Sequence, residues 1–564
     1  LACIPFAWLW LTPSRLDSFG QSIIAANLFV SNILFWSETG YFLPAAETKP
    51  LMHTWSLAVE EQYYLLFPLF LLLGWRRFSR NTLYLILTTV GITSFALCLY
   101  AAEHYPSANF YLLPTRGWEL LLGSLCAIFL KENRHAEWKN GSLAAIGLAL
   151  ICFSVFWIDQ SDRHPGWITL LPTIGCTLFI LFGTANTLPG KVMGYRPLVV
   201  IGLISYSAYL WHFPILVLPE HRLIDSPGVS STLSALAITL VISVVSWRYL
   251  ETPFRNKEKV SRRHLIVFCL SSSAVLLLCA GLMVYNDGYP KRTSGTIHYG
   301  KLEHEFIANY GLSETCDLQH QCRTREAPET LLWGDSFAMH LAAGLAKHEA
   351  ALNGLQQITR SQCYPMIGLA VLTGDSKSSH TVDCIQYNQK VVEWLATESS
   401  PKQVVLASPF TFSKFELMVN GQQMPYSKEL VTEKLKQTIR TLEGMGKKIV
   451  VIAPPPQNGK NLGDCLLKSF WFNQSPDLCN FPTDQIADSS IEAYSLLGEL
   501  ESFSTVIKLN RLICSDGLCR VSIDNVPIYR DQGHLSVEGS LLLGEELSLR
   551  IADTMSQTMP AADR

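Results

Sequence analysis

The chain has 564 residues, of which 49% are hydrophobic and 16% charged, and its formal net charge at pH 7 is −3. This length is enough for more than one domain, and the near-neutral charge argues against a nucleic-acid-binding protein. The apolar excess lies almost wholly before residue 286, which predicts a membrane-embedded first half and a polar second half. Because the chain begins inside an apolar run, without Met or a signal peptide, we interpret it as lacking its true N-terminus.

The first half contains a series of apolar segments. A helix needs about 20 apolar residues to cross the hydrocarbon core of a bilayer. By this measure the candidate spans are 1–12 (incomplete), 51–74, 81–101, 116–130, 141–158, 167–185, 198–218, 230–250 and 265–285. Segment 21–36 is apolar but interrupted by Asn27, Ser31 and Asn32, so it is interpreted as either a span or an interfacial helix.

The loops between these segments alternate in charge. The basic loops are 75–80, 131–139, 191–196 and 255–263, and the loops poorer in Lys and Arg are 102–114, 159–166 and 219–229. Since Lys and Arg favour the cytoplasmic side, span 265–285 is predicted to run outward. Everything after residue 286 is then predicted to be periplasmic or extracellular.

Polar side chains within the apolar segments indicate function, because a charge at the centre of a membrane helix costs about 2.5–3.5 kcal/mol. Helical spacing places His53, Ser56, Glu60 and Tyr64 on one face of the second segment. The alternative is an entrance helix at the level of the lipid headgroups, on which these groups are simply hydrated.

Two further segments carry ionisable residues. Arg116 and Glu119 are spaced i, i+3, so they predict an intrahelical pair that is either functional or a structural ion pair at the end of a span. His212 lies in an outward-running span and is either reactive or a helix-packing residue. Segment 247–255 ends a span at the cytoplasmic face and is interpreted mostly as an anchor.

These segments together resemble the acyltransferase-three family of membrane acyltransferases. The resemblance covers residues 1–255 and depends on His-Thr-Trp-Ser-Leu-x-x-Glu-Glu-Gln-Tyr, Thr-Arg-x-Trp-Glu-Leu, Ser-Tyr-Ser-x-Tyr-Leu-Trp-His and Glu-Thr-Pro-Phe-Arg. It implies transfer of acyl groups, often acetyl from cytoplasmic acetyl-CoA, to glycans outside the cytoplasm, with no bound cofactor or metal. By the helix count usual in the family, segment 21–36 is not a span, and the first helix, with its arginine and proposed catalytic histidine, precedes residue 1. The acyl-transfer candidates in this half are His53, Ser56, Glu60, Arg116, Glu119 and His212.

After the membrane domain (1–285) comes a polar linker (286–329), followed by alternating strand-like and helical runs (330–564). The strands are predicted at Thr330–Trp333, Leu355–Thr359, Gln403–Ala407, Lys448–Ile452 and Thr505–Leu509, and the helices at Phe337–Ala350, Asp383–Glu398, Ser427–Met445 and Asp484–Leu500. This alternation predicts a parallel sheet with helices on both faces, and a site at the carboxyl ends of the strands.

The first of these strands runs into Gly334-Asp335-Ser336, directly before a helix. The N-terminus of that helix would favour the negative charge that develops when a serine reacts. A serine hydroxyl needs a base, and Asp531 and His534 form a D-x-x-H pair near the C-terminus. Each motif alone is weak, because Gly-Asp-Ser is also ordinary turn chemistry.

Together the two motifs resemble the SGNH (GDSL-like) esterase and acyltransferase family. The resemblance implies that Ser336 is the nucleophile and an oxyanion donor, and that His534 and Asp531 complete the catalytic residues. One departure concerns the Gly-x-Asn that usually follows a middle strand, since the matching strand here ends Ala407-Ser408-Pro409 without Asn. The predicted fold is a multi-pass α-helical membrane domain plus an α/β SGNH-type three-layer domain with a parallel sheet.

The cysteines divide with the chain. Seven lie in apolar segments, where cysteine is usually a small hydrophobe. Eight lie in the polar half and predict disulfides and an oxidising compartment, with the neighbour pairing Cys316–Cys322, Cys363–Cys384, Cys465–Cys479 and Cys514–Cys519. Zinc binding or free thiols are the alternative, although no C-x-x-C pair is present.

We therefore predict an O-acyltransferase, in particular an O-acetyltransferase, of the bacterial inner membrane, with its C-terminal domain in the periplasm. Its donor would be acetyl-CoA or another acyl-CoA, and its acceptor an envelope polysaccharide such as lipopolysaccharide O-antigen. One alternative is an extracytoplasmic esterase that removes acetyl groups and uses the membrane half as an anchor. Another is a transporter or glycan-binding protein with a vestigial triad.

Overall fold

The computed structural model describes residues 1–39, 48–132, 140–159, 164–224, 228–256, 258, 260–292, 306–320, 322–372, 377–397 and 400–556. Most of segment 131–139, parts of the loops 159–166, 219–229 and 255–263, and residues 293–305 and 321 of the predicted linker lie outside this part. The chain divides into two compact units, Leu1–Arg292 and Thr293–Arg564, and each is described by itself.

The first unit is helical. Its α-helices are α1 (Cys3–Trp10), α2 (Pro13–Asn27), α3 (Ser31–Ser37), α4 (Thr54–Arg77), α5 (Arg80–His104), α6 (Pro106–Tyr111), α7 (Leu113–Glu132), α8 (Gly141–Trp157), α9 (Leu170–Phe182), α10 (Leu188–Met193), α11 (Arg196–Glu220), α12 (Val229–Ser246), α13 (Thr252–Arg255) and α14 (Arg262–Tyr285). A 3₁₀ turn, Trp167–Thr169, precedes α9, and a π-helical turn, Trp247–Glu251, joins α12 to α13.

Within the described residues, six helical stretches are long and apolar enough to cross a membrane: Thr54–Gly74, Arg80–His104, Pro106–Lys131, Arg196–Glu220, Val229–Arg255 and Arg262–Tyr285. They coincide with six of the predicted spans. The predicted spans 141–158 and 167–185 correspond to the shorter apolar helices Gly141–Trp157 and Trp167–Phe182. The first unit is thus a multi-pass helical membrane domain, as the sequence predicts.

The apolar segment 21–36 is divided between two helices. Helix α2 ends at Asn27, Phe29 has a φ of 57°, and α3 begins at Ser31. The two helices have 15 and 7 residues, so neither reaches the length of about 20 residues that a crossing needs. The finding agrees with the prediction, made from the family's helix count, that this segment is not a span.

The described residues of the second unit form a six-stranded sheet and three small sheets. Its strands are β1 (Cys322–Arg323), β2 (Thr330–Gly334), β3 (Leu355–Thr359), β4 (Leu369–Val371), β5 (Gln403–Ala407), β6 (Leu417–Val419), β7 (Gln422–Met424), β8 (Lys448–Ala453), β9 (Phe481–Pro482), β10 (Thr505–Lys508), β11 (Cys514–Ser515), β12 (Leu518–Cys519), β13 (Ser522–Ile523) and β14 (Val526–Pro527). The large sheet has the order β1-β3-β2-β5-β8-β10. All its neighbouring strands are parallel except β1, which pairs antiparallel with β3.

Helices cover both faces of the large sheet. They are α15 (Ser336–Lys347), α16 (Lys377–Leu395), α17 (Lys428–Gly444), α18 (Leu462–Trp471), α19 (Asp488–Gly498), α20 (Asn510–Ile513) and α21 (Val537–Ser556). Leu331 and Trp333 of β2 join a core with α16, α17 and α19, whereas Leu332 between them joins a core with α15, α18 and α21. This alternation follows from the two-residue period of a strand. The second unit is therefore a three-layer α/β domain.

All five strands predicted for residues 330–564 are present, and the four predicted helices differ from α15, α16, α17 and α19 by a few residues at their ends. Helices α18, α20 and α21 are not among the predicted elements. The antiparallel edge strand β1 also departs from the expectation of a purely parallel sheet. It is only two residues long, which is too short for a periodic pattern to reveal it in the sequence.

The four predicted disulfides are all formed: Cys316–Cys322, Cys363–Cys384, Cys465–Cys479 and Cys514–Cys519. The seven cysteines of the first unit are free thiols. The Cys316–Cys322 bridge lies beside the sheet edge, because the N–H of Thr359 in β3 donates to the carbonyl oxygen of Cys316 (2.8 Å). The described residues shortly before β2 are thereby attached to the second unit.

Gly344 in α15 offers a test of how closely the helices of this unit pack. A Cβ atom at this position would lie 1.9 Å from the carbonyl oxygen of Ser540 in α21. We expect Gly344→Ala to push the two helices apart and to lower the stability of the protein by about 1–3 kcal/mol. The measurement is thermal unfolding of the detergent-solubilised chain. The control is Gly444→Ala at the end of α17, where a Cβ meets no atom within 4 Å and stability is expected to hold or rise. Equal effects of the two substitutions would contradict the close packing.

Candidate active site

The turn between β2 and α15 presents a serine at the start of a helix. Ser336 is the first residue of α15, and Asp335 is its N-cap, accepting a hydrogen bond from the N–H of Phe337 (2.9 Å). Strand β2 is fully buried, so the chain reaches this turn along the centre of the sheet. Ser336 therefore lies at the carboxyl edge of the parallel strands, where the sequence predicts the site.

The residues around His534 form a tight loop at the other end of the unit's sequence. Tyr529 and Leu535 make an isolated antiparallel bridge, and the N–H of Arg530 donates to the carbonyl oxygen of His534 (3.0 Å). Inside this loop, Asp531 Oδ1 accepts hydrogen bonds from the backbone N–H groups of Gly533 (2.9 Å) and His534 (2.8 Å). The loop thus holds the carboxylate and the imidazole in one turn.

The structure brings the three predicted residues together. Ser336 Oγ lies 2.8 Å from His534 Nε2, and His534 Nδ1 lies 2.8 Å from Asp531 Oδ2. If Nδ1–H donates to the carboxylate, Nε2 is left as the acceptor for the serine hydroxyl. Nucleophile, base and orienting carboxylate are then connected in the order that a Ser-His-Asp triad requires.

Hydrogen bonds and nearby positive charge favour an ionised Asp531. Burial opposes ionisation of this carboxyl, but hydrogen bonds and charge from His534 and the nearby Arg530 guanidinium hold its pKa well below the ordinary value. Arg530 Nε lies 3.4 Å from Asp531 Oδ2. A carboxylate that stays ionised can stabilise the imidazolium that forms when His534 accepts a proton.

Helix α18, which was not predicted, supports the histidine loop. The N–H of Gly463 donates to the carbonyl oxygen of Asp531 (3.1 Å). A Cβ at Gly463 would lie 2.0 Å from the carbonyl oxygen of Arg530, so only glycine fits at this contact. Gly463 and Asp531 are far apart in sequence, and no local pattern indicates that they meet.

Asp335 has a different environment from Asp531. Its side chain is buried, Oδ2 accepts a hydrogen bond from the hydroxyl of Ser408 (2.7 Å), and burial raises its pKa to about 7 against the opposing effect of these hydrogen bonds. Ser408 follows strand β5, in the segment Ala407-Ser408-Pro409 that has no Asn in place of the Gly-x-Asn of the SGNH pattern. The hydroxyl of Ser408 is directed to Asp335.

In the first unit, three of the six acyl-transfer candidates lie around one tyrosine. The hydroxyl of Tyr209 in α11 lies 2.5 Å from Ser56 Oγ, and it also donates to the carbonyl oxygen of His53. The ring of His53 is 5.6 Å from that of Tyr209 and 5.7 Å from that of His212, measured between centroids. Tyr209 was not among the predicted site residues, because its partners are more than 150 positions away.

Arg116 and Glu119 form the predicted intrahelical pair, with Nη1 and Oε1 3.0 Å apart. The Arg116 guanidinium also lies over the rings of Trp55 (5.2 Å) and Phe110 (5.4 Å). Trp55 directly precedes Ser56 in α4, so the Arg116–Glu119 pair is connected through this helix to the residues around Tyr209. Glu60 lies farther along α4 and is half-buried.

Comparison with known proteins identifies the families that the two parts of the chain match. A family model described as "Acyltransferase domain" matches residues 1–248, and one described as "SGNH domain (fused to AT3 domains)" matches residues 304–548. The putative membrane-bound transacylase BcsY of Komagataeibacter xylinus is 30% identical over 279 residues, which are 47% of this chain and 69% of BcsY. The chain thus belongs to the acyltransferase-three family of membrane acyltransferases, in the group whose members carry a fused SGNH domain.

Other relatives are named O-acetyltransferases. The peptidoglycan O-acetyltransferase OatA of Listeria monocytogenes is 30% identical over 259 residues, covering 43% of this chain and 42% of OatA. The O-acetyltransferase OatA of Staphylococcus aureus is 29% identical over 275 residues, covering 46% and 45%. The chain therefore spans less than half the length of these two relatives. Among solved structures, the periplasmic domain of a Salmonella Paratyphi A lipopolysaccharide acetyltransferase is 20% identical, with a TM-score of 0.33, covering 47% of this chain and 98% of that domain.

The raised pKa of Asp335 generates a prediction about pH. Because the native protein holds this proton up to about pH 7, whereas an unfolded Asp loses it near 3.8, the native state should lose stability as pH rises between these values. Asp335→Asn imitates the protonated carboxyl and can keep both hydrogen bonds. We therefore expect its melting temperature to exceed that of the wild type by a margin that grows from about pH 4 to about pH 7. A difference that stays constant with pH would contradict the raised pKa.

Proposed function

We propose that this protein is a membrane O-acetyltransferase. It moves acyl groups from cytoplasmic acyl-CoA across the membrane to Ser336. From Ser336 the acyl group passes to hydroxyl groups of an envelope polysaccharide, such as lipopolysaccharide O-antigen. The observation that carries the proposal is the hydrogen-bonded Ser336–His534–Asp531 array in a chain whose first half belongs to a membrane acyltransferase family. The basic loops and the four disulfides support an inner-membrane protein whose second unit is periplasmic.

The first chemical step would acylate the serine. Ser336 Oγ attacks the carbonyl carbon of the acyl donor while His534 Nε2 takes the hydroxyl proton. The tetrahedral intermediate then expels the donor's leaving group, which receives that proton from His534. The product is an acyl ester on Ser336, with His534 again neutral.

The second step would transfer the acyl group. A sugar hydroxyl gives its proton to His534 Nε2 and attacks the acyl-serine carbonyl, and collapse of the second intermediate returns the proton to Ser336 Oγ. In both steps the oxygen of the intermediate carries negative charge. The N-terminal end of α15, at which Ser336 lies, favours that charge through its dipole and its backbone N–H groups.

The membrane unit would supply the acyl group. The group formed by His53, Ser56, Tyr209 and His212 places an imidazole, a hydroxyl and a phenol next to each other, which are the side chains that can accept an acyl group or move a proton. A membrane anchor alone would not require such polar residues within apolar helices. This supports a transferase over an anchored esterase.

The acceptor that we propose belongs to the class of molecule that the name of a relative mentions. OatA is named for peptidoglycan, which is an envelope glycan, and lipopolysaccharide O-antigen is another. Both present secondary and primary hydroxyl groups outside the cytoplasmic membrane, on the side to which the second unit is assigned.

The experiment that tests the function compares wild type and Ser336→Ala in a host that lacks its own copy of the gene. Ester-linked acetate on extracted lipopolysaccharide and peptidoglycan is quantified by NMR. We expect acetate on one of these glycans with the wild type and a loss of at least about a hundredfold with Ser336→Ala, because the nucleophile is removed. Equal acetate in both strains would leave the membrane unit as the sole transferase, and more acetate with the variant would identify a deacetylase. Either result would contradict the proposal.

A second prediction separates the two units. Arg116→Lys keeps the charge but loses the planar group that lies over Trp55 and Phe110 and pairs with Glu119. We expect it to lower glycan acetate by about tenfold or more, while Ser336 in the detergent-solubilised protein still reacts normally with a fluorophosphonate probe. The control is Arg262→Lys, at an exposed position at the start of α14, which should change neither readout. Full glycan acetylation by Arg116→Lys would exclude a role for the stacked guanidinium.

A further inference from the structure

The contact between Ser336 and His534 joins two parts of the chain that are 198 positions apart. Ser336 is carried by α15, and His534 by the loop before α21. The backbone hydrogen bonds within α15 do not fix the position of His534, and those within the loop before α21 do not fix the position of Ser336. The 2.8 Å distance between Oγ and Nε2 therefore depends on the packing of α21 on α15 and on side chains that connect α15 to that loop.

His340 makes one such connection. It lies one helical turn after Ser336 on α15 and is 1% exposed. Its Nδ1 accepts a hydrogen bond from the backbone N–H of Leu535, the residue that follows the catalytic histidine (3.3 Å). Because that N–H is a donor, Nδ1 must carry no proton. Burial, together with the nearby charges of His534 and Arg530, holds the pKa of His340 well below its ordinary value, so the ring stays neutral.

The ring of His340 also packs beside that of His534. The two ring centroids are 5.8 Å apart with the planes nearly perpendicular, and the ring of Phe337 contacts both, at 5.2 Å from His340 and 4.5 Å from His534. The side of the catalytic imidazole is thus lined by two residues of the nucleophile's own helix.

Asn309 makes the second connection through the backbone. It is buried, and its Nδ2 donates both to the carbonyl oxygen of His340 in α15 (3.1 Å) and to that of Ser536 in the histidine loop (3.4 Å). One amide group therefore bridges the same two segments that the His340 ring bridges. Asn309 lies within the stretch 286–329, for which the sequence predicts a linker.

We propose that His340 and Asn309 are positioning residues that hold the His534 loop against α15 and so keep His534 Nε2 within hydrogen-bonding distance of Ser336 Oγ. The inference rests on the proposed function, because it concerns the reactivity of Ser336. A displacement of about 1 Å between reacting groups can cost a hundredfold in rate. The two hydrogen bonds that fix the backbone at Leu535 and Ser536 therefore affect the chemistry as well as the fold.

The test uses the full chain in detergent and measures the rate at which a fluorophosphonate probe labels Ser336, with the saturating rate and the half-saturating probe concentration determined separately. His340→Asn and His340→Gln are a matched pair. The amide oxygen of Asn can take the place of Nδ1, whereas that of Gln reaches the place of Nε2. We expect His340→Asn to keep the saturating rate within about threefold of the wild type and His340→Gln to lower it by about tenfold or more, because the buried Leu535 amide then has no acceptor.

A second pair separates positioning from general stability. Asn309→Leu removes a buried amide that bridges the two segments of the site. Gln403→Leu removes one at the start of β5, whose Nε2 donates to the carbonyl oxygen of Ile551 (3.0 Å) and to Thr554 Oγ1 (2.6 Å). We expect both to lower the melting temperature, but only Asn309→Leu to lower the saturating labelling rate, by about tenfold.

The outcomes are distinguishable. Labelling of the wild type no faster than that of Ser336→Ala would overturn the proposed function and this inference with it. Wild-type labelling that is matched by His340→Gln and by Asn309→Leu would overturn the inference alone. A loss of rate in Gln403→Leu as large as that in Asn309→Leu would also overturn it, because the effect would then follow stability and not position.

Discussion

The site of the second unit depends on the burial of strand β2 on both faces. Because helices cover both sides of the sheet, a polar reactive group cannot lie along the strand, and the first place for it is the edge where the strand ends. Helix α15 begins there at once, so Ser336 receives its position from the strand and its electrostatic environment from the helix. Helix α21 packs on α15 through the close approach of Gly344 to Ser540, and this packing brings the loop that precedes α21, with His534, to the same edge.

In both units, polar groups in apolar surroundings are stabilised by hydrogen bonds or other contacts with nearby partners. In the membrane unit, the Tyr209 hydroxyl joins Ser56 to the backbone of His53, and Arg116 is held by an ion pair, a backbone carbonyl and two aromatic rings. In the second unit, the buried carboxyl of Asp335 has hydrogen-bond partners on both of its oxygens. Since each of these groups would be costly if left unpaired, their partners fix their orientation as well as their stability.

Much of this arrangement could be predicted from the sequence, because it is encoded locally. The strands appear as short apolar runs, the four disulfides join cysteines that are neighbours in the sequence, and Ser336 and the Asp531–His534 pair each belong to a motif of a few residues. Tyr209, Asn309 and Gly463 could not be predicted in this way. Their partners are distant in sequence, and a tyrosine, an asparagine or a glycine has no periodic pattern that distinguishes it before the chain has folded. The edge strand β1 was missed for a related reason, since two residues carry no period.

The two aspartates next to the reactive residues differ in pKa and in role because their surroundings differ. Asp531 accepts hydrogen bonds from His534 and two backbone N–H groups and lies beside a guanidinium, so its pKa falls and it stays ionised. For Asp335, no charged group in the described part of the chain offsets burial, and its pKa rises to about 7. A permanently ionised carboxylate can stabilise an imidazolium, whereas one that is protonated over part of the physiological range cannot do so reliably. Asp531 thus supports His534, and Asp335 caps the helix that carries Ser336. The neighbours of each carboxyl determine its pKa and therefore its role, more than its distance from the serine does.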